Sequence, residues 1–296
     1  MEERRIGRVR VLFGEGGGKY PDGNALFVEG REESLIIDPA LGVVGRGEAR
    51  PRPDRVLNSH CHEDHIAGNF LYPEIPWCLH EADAAGLQSM AGMMEIYGFS
   101  GEIAAGFETL LIEQFNYQAR PDVVTFRDGD VFDLGGTSVR VLHAPGHTRG
   151  HCVFHIEPED VIYLADIDLS SFGPYYGDAW SDLEDFSRTL AWVSEFQAKH
   201  YATFHHIGVL DGFEAFRARF DRFAGMIPNR EARLLEFLVE PRSLEEVIDA
   251  RFIYSRGTPP SFAPSVERRS MTQHIDRLIA QSRVVEVEPG RYRVAA

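Results

Sequence analysis

The chain has 296 residues, 44% hydrophobic and 26% charged, which predicts a soluble globular protein with one large domain and a smaller one. Its formal net charge of −16, from 46 acidic and 30 basic residues, disfavours a broad nucleic-acid or anionic-membrane surface. Three scattered cysteines, Cys61, Cys78 and Cys152, argue against a disulfide framework, and the lack of an apolar leader or a bilayer-length apolar run predicts a cytoplasmic protein.

In chain order, strands are predicted at Val9 to Phe13, Ala25 to Val28 and Ser34 to Asp38. Between the first two, Gly16-Gly17-Gly18-Lys19 lacks Walker spacing and the following Ser or Thr, so it reads as a flexible turn and not a phosphate loop. Another short apolar run, Arg55 to Ser59, reads as a buried strand and leads directly into His60-Cys61-His62-Glu63-Asp64-His65.

Three imidazoles and a carboxylate in six positions suit a borderline cation such as Zn(II), Mn(II) or Fe(II). His60 and His62, two apart, can reach one ion from an extended backbone. Asp64 and His65 lie one turn on and can reach a second. Cys61 alternates away from the ligands and reads as packing. The pattern His-x-His-x-Asp-His resembles the metallo-β-lactamase superfamily, and the resemblance extends over residues from about 24 to 206.

Residues 81 to about 120 are helical in composition, with Met90, Met93, Met94, Phe99 and Phe107 among their apolar side chains. In that family this position holds elements that cover the active site, so the segment is expected to be either an apolar wall for substrate or plain core. Sheet resumes at Val123 to Phe126, Val131 to Leu134 and Ser138 to Leu142, and ends in Ala144-Pro145-Gly146-His147-Thr148-Arg149-Gly150-His151. Proline and glycines form a tight turn that aims His147 back at His60 and His62. His143 and His151 are read as outer-sphere or surface residues. A further hairpin runs into Asp166, with Ala165 where the family usually has Gly, and Asp168 is read as an outer-sphere residue. Some lactone-hydrolysing relatives place a Tyr hydroxyl close to the substrate carbonyl, and by that resemblance Tyr175 or Tyr176 of the following Phe172-Gly173-Pro174-Tyr175-Tyr176-Gly177 loop is a candidate for the role.

A helix over about 182–198 leads to Phe204-His205-His206, and another is expected over about 211–224. Placing the family's last Gly-His on Phe204-His205 makes His205 the ligand and His206 the alternative. Pro228 marks a boundary between a catalytic domain, 1–227, and a tail, 228–296, whose 11 Arg and 10 acidic residues after position 228 leave it nearly neutral. Helices at about 231–239, 244–252 and 266–281, a Pro-rich loop over 257–264 and a final hairpin give the order of a winged helix. Arg268, Arg269, Gln273 and Arg277 would contact phosphates if the last helix entered a groove, but near-neutral charge favours docking on the catalytic domain or on a second copy in a homodimer.

The resemblance implies an α/β fold, a four-layer αββα sandwich with metals at one edge of two sheets. By the same resemblance His60, His62 and His147 hold one divalent ion, Asp64, His65 and His205 (or His206) hold a second, and Asp166 bridges them, with Asp38 supporting the metal loop. Two Zn(II) ions are expected, with Mn(II) or Fe(II) as alternatives. The implied chemistry is hydrolysis by a hydroxide shared between the two cations, with Asp64 passing the proton to the leaving group. A small acyl ester, thioester or lactone suits the apolar covering segment and the acidic surface better than RNA. Alternatives are an Fe(II) persulfide dioxygenase using His60, His147 and Asp166, a phosphodiesterase or ribonuclease of the same fold, and a metal-sensing DNA-binding regulator.

Overall fold

In the computed structural model, residues 2–255 and 262–295 are described. Most of the Pro-rich loop, 257–261, lies outside the described residues. One sheet has seven strands in sequence order: β1 (Glu3–Ile6), β2 (Val9–Leu12), β3 (Ala25–Glu29), β4 (Ser34–Ile37), β5 (Arg55–Leu57), β6 (Trp77–His80) and β7 (Val124–Phe126). It is antiparallel from β1 to β4 and parallel from β4 to β7. A second sheet runs β13 (Val209–Asp211), β12 (His200–Ala202), β11 (Val161–Tyr163), β10 (Cys152–Glu157), β9 (Ser138–His143), β8 (Val131–Asp133), with β11 and β12 its parallel pair.

Alternation along each strand sets the layers. Val9 and Val11 of β2, and Leu35 and Ile37 of β4, point at Val139, Val141, Phe154 and Tyr163 of the other sheet, forming the inter-sheet core. The residues between them face outward. Arg10 lies over the Phe27 ring, and Ile36 joins Val43 of α1 (Leu41–Val44) in an outer layer. On the far side, Val153, Ile162 and Tyr201 pack under Phe186 and Leu190 of α6 (Leu183–Val193) and Phe216 and Phe220 of α7 (Phe213–Ala224). The expected four-layer sandwich is therefore observed, with each fully buried large apolar side chain contributing about 1.5–3 kcal/mol.

The segment between the first two motifs folds into α3 (Ala84–Gln88), α4 (Met90–Tyr97) and α5 (Gly101–Glu113). Met93, Ile96 and Leu111 form a core there with Cys61 and Leu79 beneath, so most of its apolar residues are packing.

At the C-terminus, α8 spans Met226–Phe237 and so runs through the expected boundary at 227/228. Pro228 sits in the first turn, where a missing N–H costs no helical hydrogen bond. Ile227 belongs to the core around α6 and α7, whereas Leu234 belongs to a separate core with Leu238, Val247, Met271 and Ile275. Then follow β14 (Arg242–Ser243), α9 (Leu244–Ala250), α10 (Ala263–Ala280), β15 (Val284–Glu288) and β16 (Arg291–Val294), with sheet order β14-β16-β15. Ser243 and Glu246 form a capping box that fixes the start of α9.

α10 docks on the catalytic part through the side chains considered as phosphate readers. Arg269 donates to Tyr97 O (2.7 Å), Gln273 Nε2 to Tyr176 O (3.1 Å), and Arg277 to Leu183 O (2.9 Å), while Arg268 pairs with Glu245 inside the module. No helix among the described residues is long and apolar enough to cross a membrane.

Candidate metal centre

All the candidate ligands lie just beyond the C-terminal ends of strands. His60 to His65 follow β5 and enter α2 (Glu63–Ile66), His147 follows β9, Asp166 follows β11, and His205 follows β12. The chain must turn sharply at each point. Asp38 after β4, Ala165 before Asp166, and His206 all have positive φ, 47°, 47° and 58°. A left-handed backbone at Ala165 explains why glycine suits this position.

Two donor clusters result. His60, His62, His147 and Asp166 present ligand atoms within 4.8 Å of one another, and so do Asp64, His65 and His205. In the first, His60 Nε2 lies 3.0 Å from His62 Nδ1, and His147 Nε2 lies 3.2 and 2.9 Å from these two. In the second, His205 Nε2 lies 3.1 Å from Asp64 Oδ2, and His65 Nε2 lies 3.9 Å from Asp64 Oδ1. Asp166 stands between them. Its Oδ2 is 3.1 Å from His147 Nε2 and its Oδ1 is 2.9 Å from His65 Nε2.

The outer nitrogen of each imidazole has its own partner. His60 Nδ1 donates to Ser59 Oγ (3.1 Å), His65 Nδ1 to Asp38 Oδ2 (2.9 Å), His147 Nδ1 to Tyr175 O (3.0 Å) and His205 Nδ1 to Gly18 O (2.8 Å). His62 Nε2 lies 2.9 Å from Asp178 Oδ2. With the protons committed outward, the inner nitrogens turn lone pairs towards each other, which repel unless a cation lies among them. A tetrahedral ion with bonds of about 2.0–2.1 Å spaces nitrogen donors about 3.3 Å apart, close to the spacings of the first cluster. The donor set thus fits divalent metal ions. His65 Nε2 and Asp166 Oδ1, both buried, lie 2.9 Å apart without the geometry of a hydrogen bond, as two atoms aimed at one ion would.

The surrounding carboxylates favour positive charge at these rings, so a proton and a metal ion compete for the same place. Burial disfavours charge on His62, but the Asp178 carboxylate outweighs it and lifts the imidazole to about 9; burial likewise opposes His205, which Asp64 and Asp166 lift to about 9. His151 is the opposite case: burial, then the neighbouring His147, depress it to about 3. Its Nδ1 donates to Ala144 O (2.9 Å) and its Nε2 accepts the Asp166 N–H (3.3 Å), so the neutral ring orients the bridging residue's backbone.

The structure brings His205 into the second cluster and leaves His206 out, exposed at the surface. Tyr175 lies at the site, but its hydroxyl donates to Asp178 Oδ1 (2.9 Å), while its carbonyl and the edge of its ring meet His147. The expectation for Tyr176 is corrected. Its hydroxyl is buried against His274 Nε2 (2.7 Å) and accepts from Arg230 (2.8 Å), both in the C-terminal helices, and faces away from the clusters.

Several contributors carried no motif. Asp83 accepts from Thr148 Oγ1 (2.6 Å) and Gly150 N (2.7 Å), fastening the loop that presents His147. Glu63 is buried between two tyrosine hydroxyls, Tyr97 from the helical insertion and Tyr20 from the glycine-rich loop (3.0 Å). Tyr97 also stacks on His62, and Tyr20, half exposed, stands edge-on to His205. Phe204, where the family pattern has Gly, stacks on His65 and fills the space that Gly23 leaves open; a Cβ at Gly23 would lie 2.0 Å from its ring. Glycine chemistry at that distance in sequence gives no signal that the two positions meet.

The glycine-rich turn likewise belongs to the site. Gly18 has φ +79°, and a Cβ there would meet Phe204 O at 2.6 Å. Gly18→Ala is expected to cost about 1–3 kcal/mol from the left-handed backbone and the clash. Because Gly18 O holds His205, the variant should also retain less metal at the second cluster. Urea unfolding and elemental analysis check the two effects, and wild-type values in both would contradict the role given to this carbonyl.

Comparison with known proteins agrees with this geometry. A family model described as metallo-beta-lactamase superfamily matches residues 20–204, and the chain belongs to that superfamily. It is similar to the acyl-coenzyme A thioesterase MBLAC2 of Bos taurus, 26% identical over 177 residues, or 54% of this chain and 62% of the relative. The chain therefore spans less than two thirds of that protein. It is also similar to a hydroxyacylglutathione hydrolase of Methylococcus capsulatus, 26% identical over 208 residues, 67% of this chain and 70% of the relative. A metallo-beta-lactamase family protein of Thermus thermophilus shares the fold over 97% of this chain and 98% of its own, with a TM-score of 0.71 at 21% identity.

Proposed function

We propose that this protein is a dinuclear metal-dependent hydrolase of thioesters formed on a small acyl carrier. The observation that carries the dinuclear part is the Asp166 carboxylate, with one oxygen turned to each donor cluster. Bound there, two divalent ions, with zinc the best match to the imidazole and carboxylate donors, supply a Lewis-acid pair that activates water at neutral pH and stabilises charge on the attacked carbonyl.

The chain's own residues supply the rest. Ser59, Asp38, Asp178, Tyr175 O and Gly18 O hold each imidazole in one tautomer and orientation. Asp64 turns Oδ2 to His205 and keeps Oδ1 free of so close a contact, the oxygen suited to pass a proton to the departing group. A thiol, with its pKa of about 8.5, leaves with less help from an acid than an alcohol does, so one carboxylate suffices. Tyr20 and Tyr97 contact the ligand rings, and Tyr97 packs with Phe99 and Phe107 of the insertion, which in turn meet Phe262 just before α10. The thioester class is supported by the two thioester-cleaving relatives. In this reading residues 226–295 form a winged-helix-like module whose last helix faces the catalytic part and not a nucleic acid.

The test is thiol release from acyl-coenzyme A and hydroxyacylglutathione by protein loaded with Zn(II), beside a lactone and a phosphodiester, with metal content measured on the same sample. Two ions per chain and turnover of at least one thioester are expected. A single iron, or turnover confined to the phosphodiester, would refute the proposal.

A further inference from the structure

Two of the metal-facing histidines are held from outside by one segment, and that segment is held by the C-terminal helices. Tyr175 O accepts from His147 Nδ1 and Asp178 Oδ2 contacts His62 Nε2, so residues 175–178 set both rings. Residues 173–177 belong to no helix or strand, and their carbonyls must find partners elsewhere. Arg230 of α8 donates to Phe172 O (2.8 Å), Pro174 O (2.6 Å) and Tyr176 Oη (2.8 Å). Gln273 of α10 donates to Tyr176 O (3.1 Å) and accepts from Leu183 N (2.6 Å), and Arg269 reaches Gly177 O (3.3 Å).

Arg230 is only 1% exposed and has no ion pair among the described residues; carbonyl dipoles and a tyrosine oxygen meet its charge. A buried cation solvated this way is costly unless its donors are aimed, and here both terminal nitrogens are, while the guanidinium also lies over the Phe172 and Tyr176 rings. Here three of its contacts fall on the one loop that orients His62 and His147. The other donor set is independent of the module: His65 is held by Asp38 and His205 by Gly18 O, both in the catalytic part, and in the first set His60 alone is held there, by Ser59.

We infer that the C-terminal module acts, through Arg230, Gln273 and residues 172–178, as a positioning device for the His60/His62/His147 metal site and not for the Asp64/His65/His205 site. The two ions then answer differently to one change far from both. This rests on the dinuclear reading above.

The experiment measures Zn(II) affinity by competition with a chromogenic chelator in two backgrounds. His205→Ala weakens the second site and reports on the first, and His62→Ala does the reverse. Adding Arg230→Met is expected to raise the dissociation constant about tenfold in the His205→Ala background and to change it less than about twofold in the His62→Ala background. Arg230→Lys, which keeps the charge but cannot reach both carbonyls, should recover part of the loss. If Arg230→Met does not fold, Gln273→Met serves in the same comparison with an expected shift of about threefold. Equal shifts in both backgrounds, or no shift in the first with folded protein, would overturn the inference. Failure of the parent protein to bind two ions would instead refute the dinuclear reading, and the His205→Ala comparison would still be readable.

Discussion

Asp166→Ala is expected to remove thioester hydrolysis by at least about 10³-fold and to lower the bound metal below two ions per chain. Asp166 alone among the candidate ligands faces both clusters, with oxygens 3.1 Å and 2.9 Å from His147 and His65. Burial opposes its ionisation, but His65, His147 and His205 outweigh burial and hold the carboxyl well below the usual carboxylate range. Alanine leaves six ligand atoms without the negative charge that draws two cations together. Asp166→Asn keeps the volume and one carbonyl oxygen, and should retain more metal than alanine with little more activity. Thiol release and elemental analysis on the same preparations decide it, and a metal-replete, fully active Asp166→Ala protein would end the bridging role.

The largest stability effect is expected at Glu267. This α10 carboxylate is fully buried and accepts from Phe252 N (3.0 Å), Ile253 N (3.0 Å) and Tyr254 N (2.7 Å), closing the turn after α9. Glu267→Leu strands three backbone donors in the interior, and at about 1–3 kcal/mol for each unsatisfied group the loss should reach about 3–5 kcal/mol. Glu267→Gln keeps an acceptor but sets an amide against the remaining donors, for a loss of about 1–2 kcal/mol. Chemical unfolding gives both values; a leucine variant within about 0.5 kcal/mol of the parent would show that the turn finds other partners. The same turn carries Tyr254, which stands against Phe172 and whose phenol is pushed upward by burial first and then by the Asp178 and Glu267 carboxylates.

Much of the metal centre was legible because it is local. His60 to His65 stand within six positions, and the His147 and Asp166 stations each follow an apolar run, so sequence order and strand ends already placed them. The partners of those ligands were not legible, because they come from distant segments: Gly18 for His205, Tyr175 and Asp178 for His147 and His62, Asp83 for the His147 loop. Tyr176 misled because position in a loop does not say which way a side chain points, and a buried arginine 54 residues away decides that. Among the strands, β1 was missed since Glu3-Arg4-Arg5 carry charge outward. That suits an edge, where Arg4 pairs with Asp211 of β13, the corresponding edge of the other sheet. β14, two residues long, is set by pairing with β16 and leaves no pattern to read.

Every ligand from His60 to His65 hangs from one sheet, and His147, Asp166 and His205 hang from the other. Ions held between them would be cross-links: one would join positions 87 apart in sequence, His60 and His147, much as a disulfide would. Such a link restricts the unfolded chain as well as the folded one, and loop closure of that span is worth several kcal/mol in the same chain-entropy terms, about 4–5 for a loop near 100 residues. If ions bind there as proposed, metal supply during synthesis would decide whether the two halves of the sandwich are stitched while they fold, and starvation would lower the yield of folded protein before it lowered any rate of catalysis.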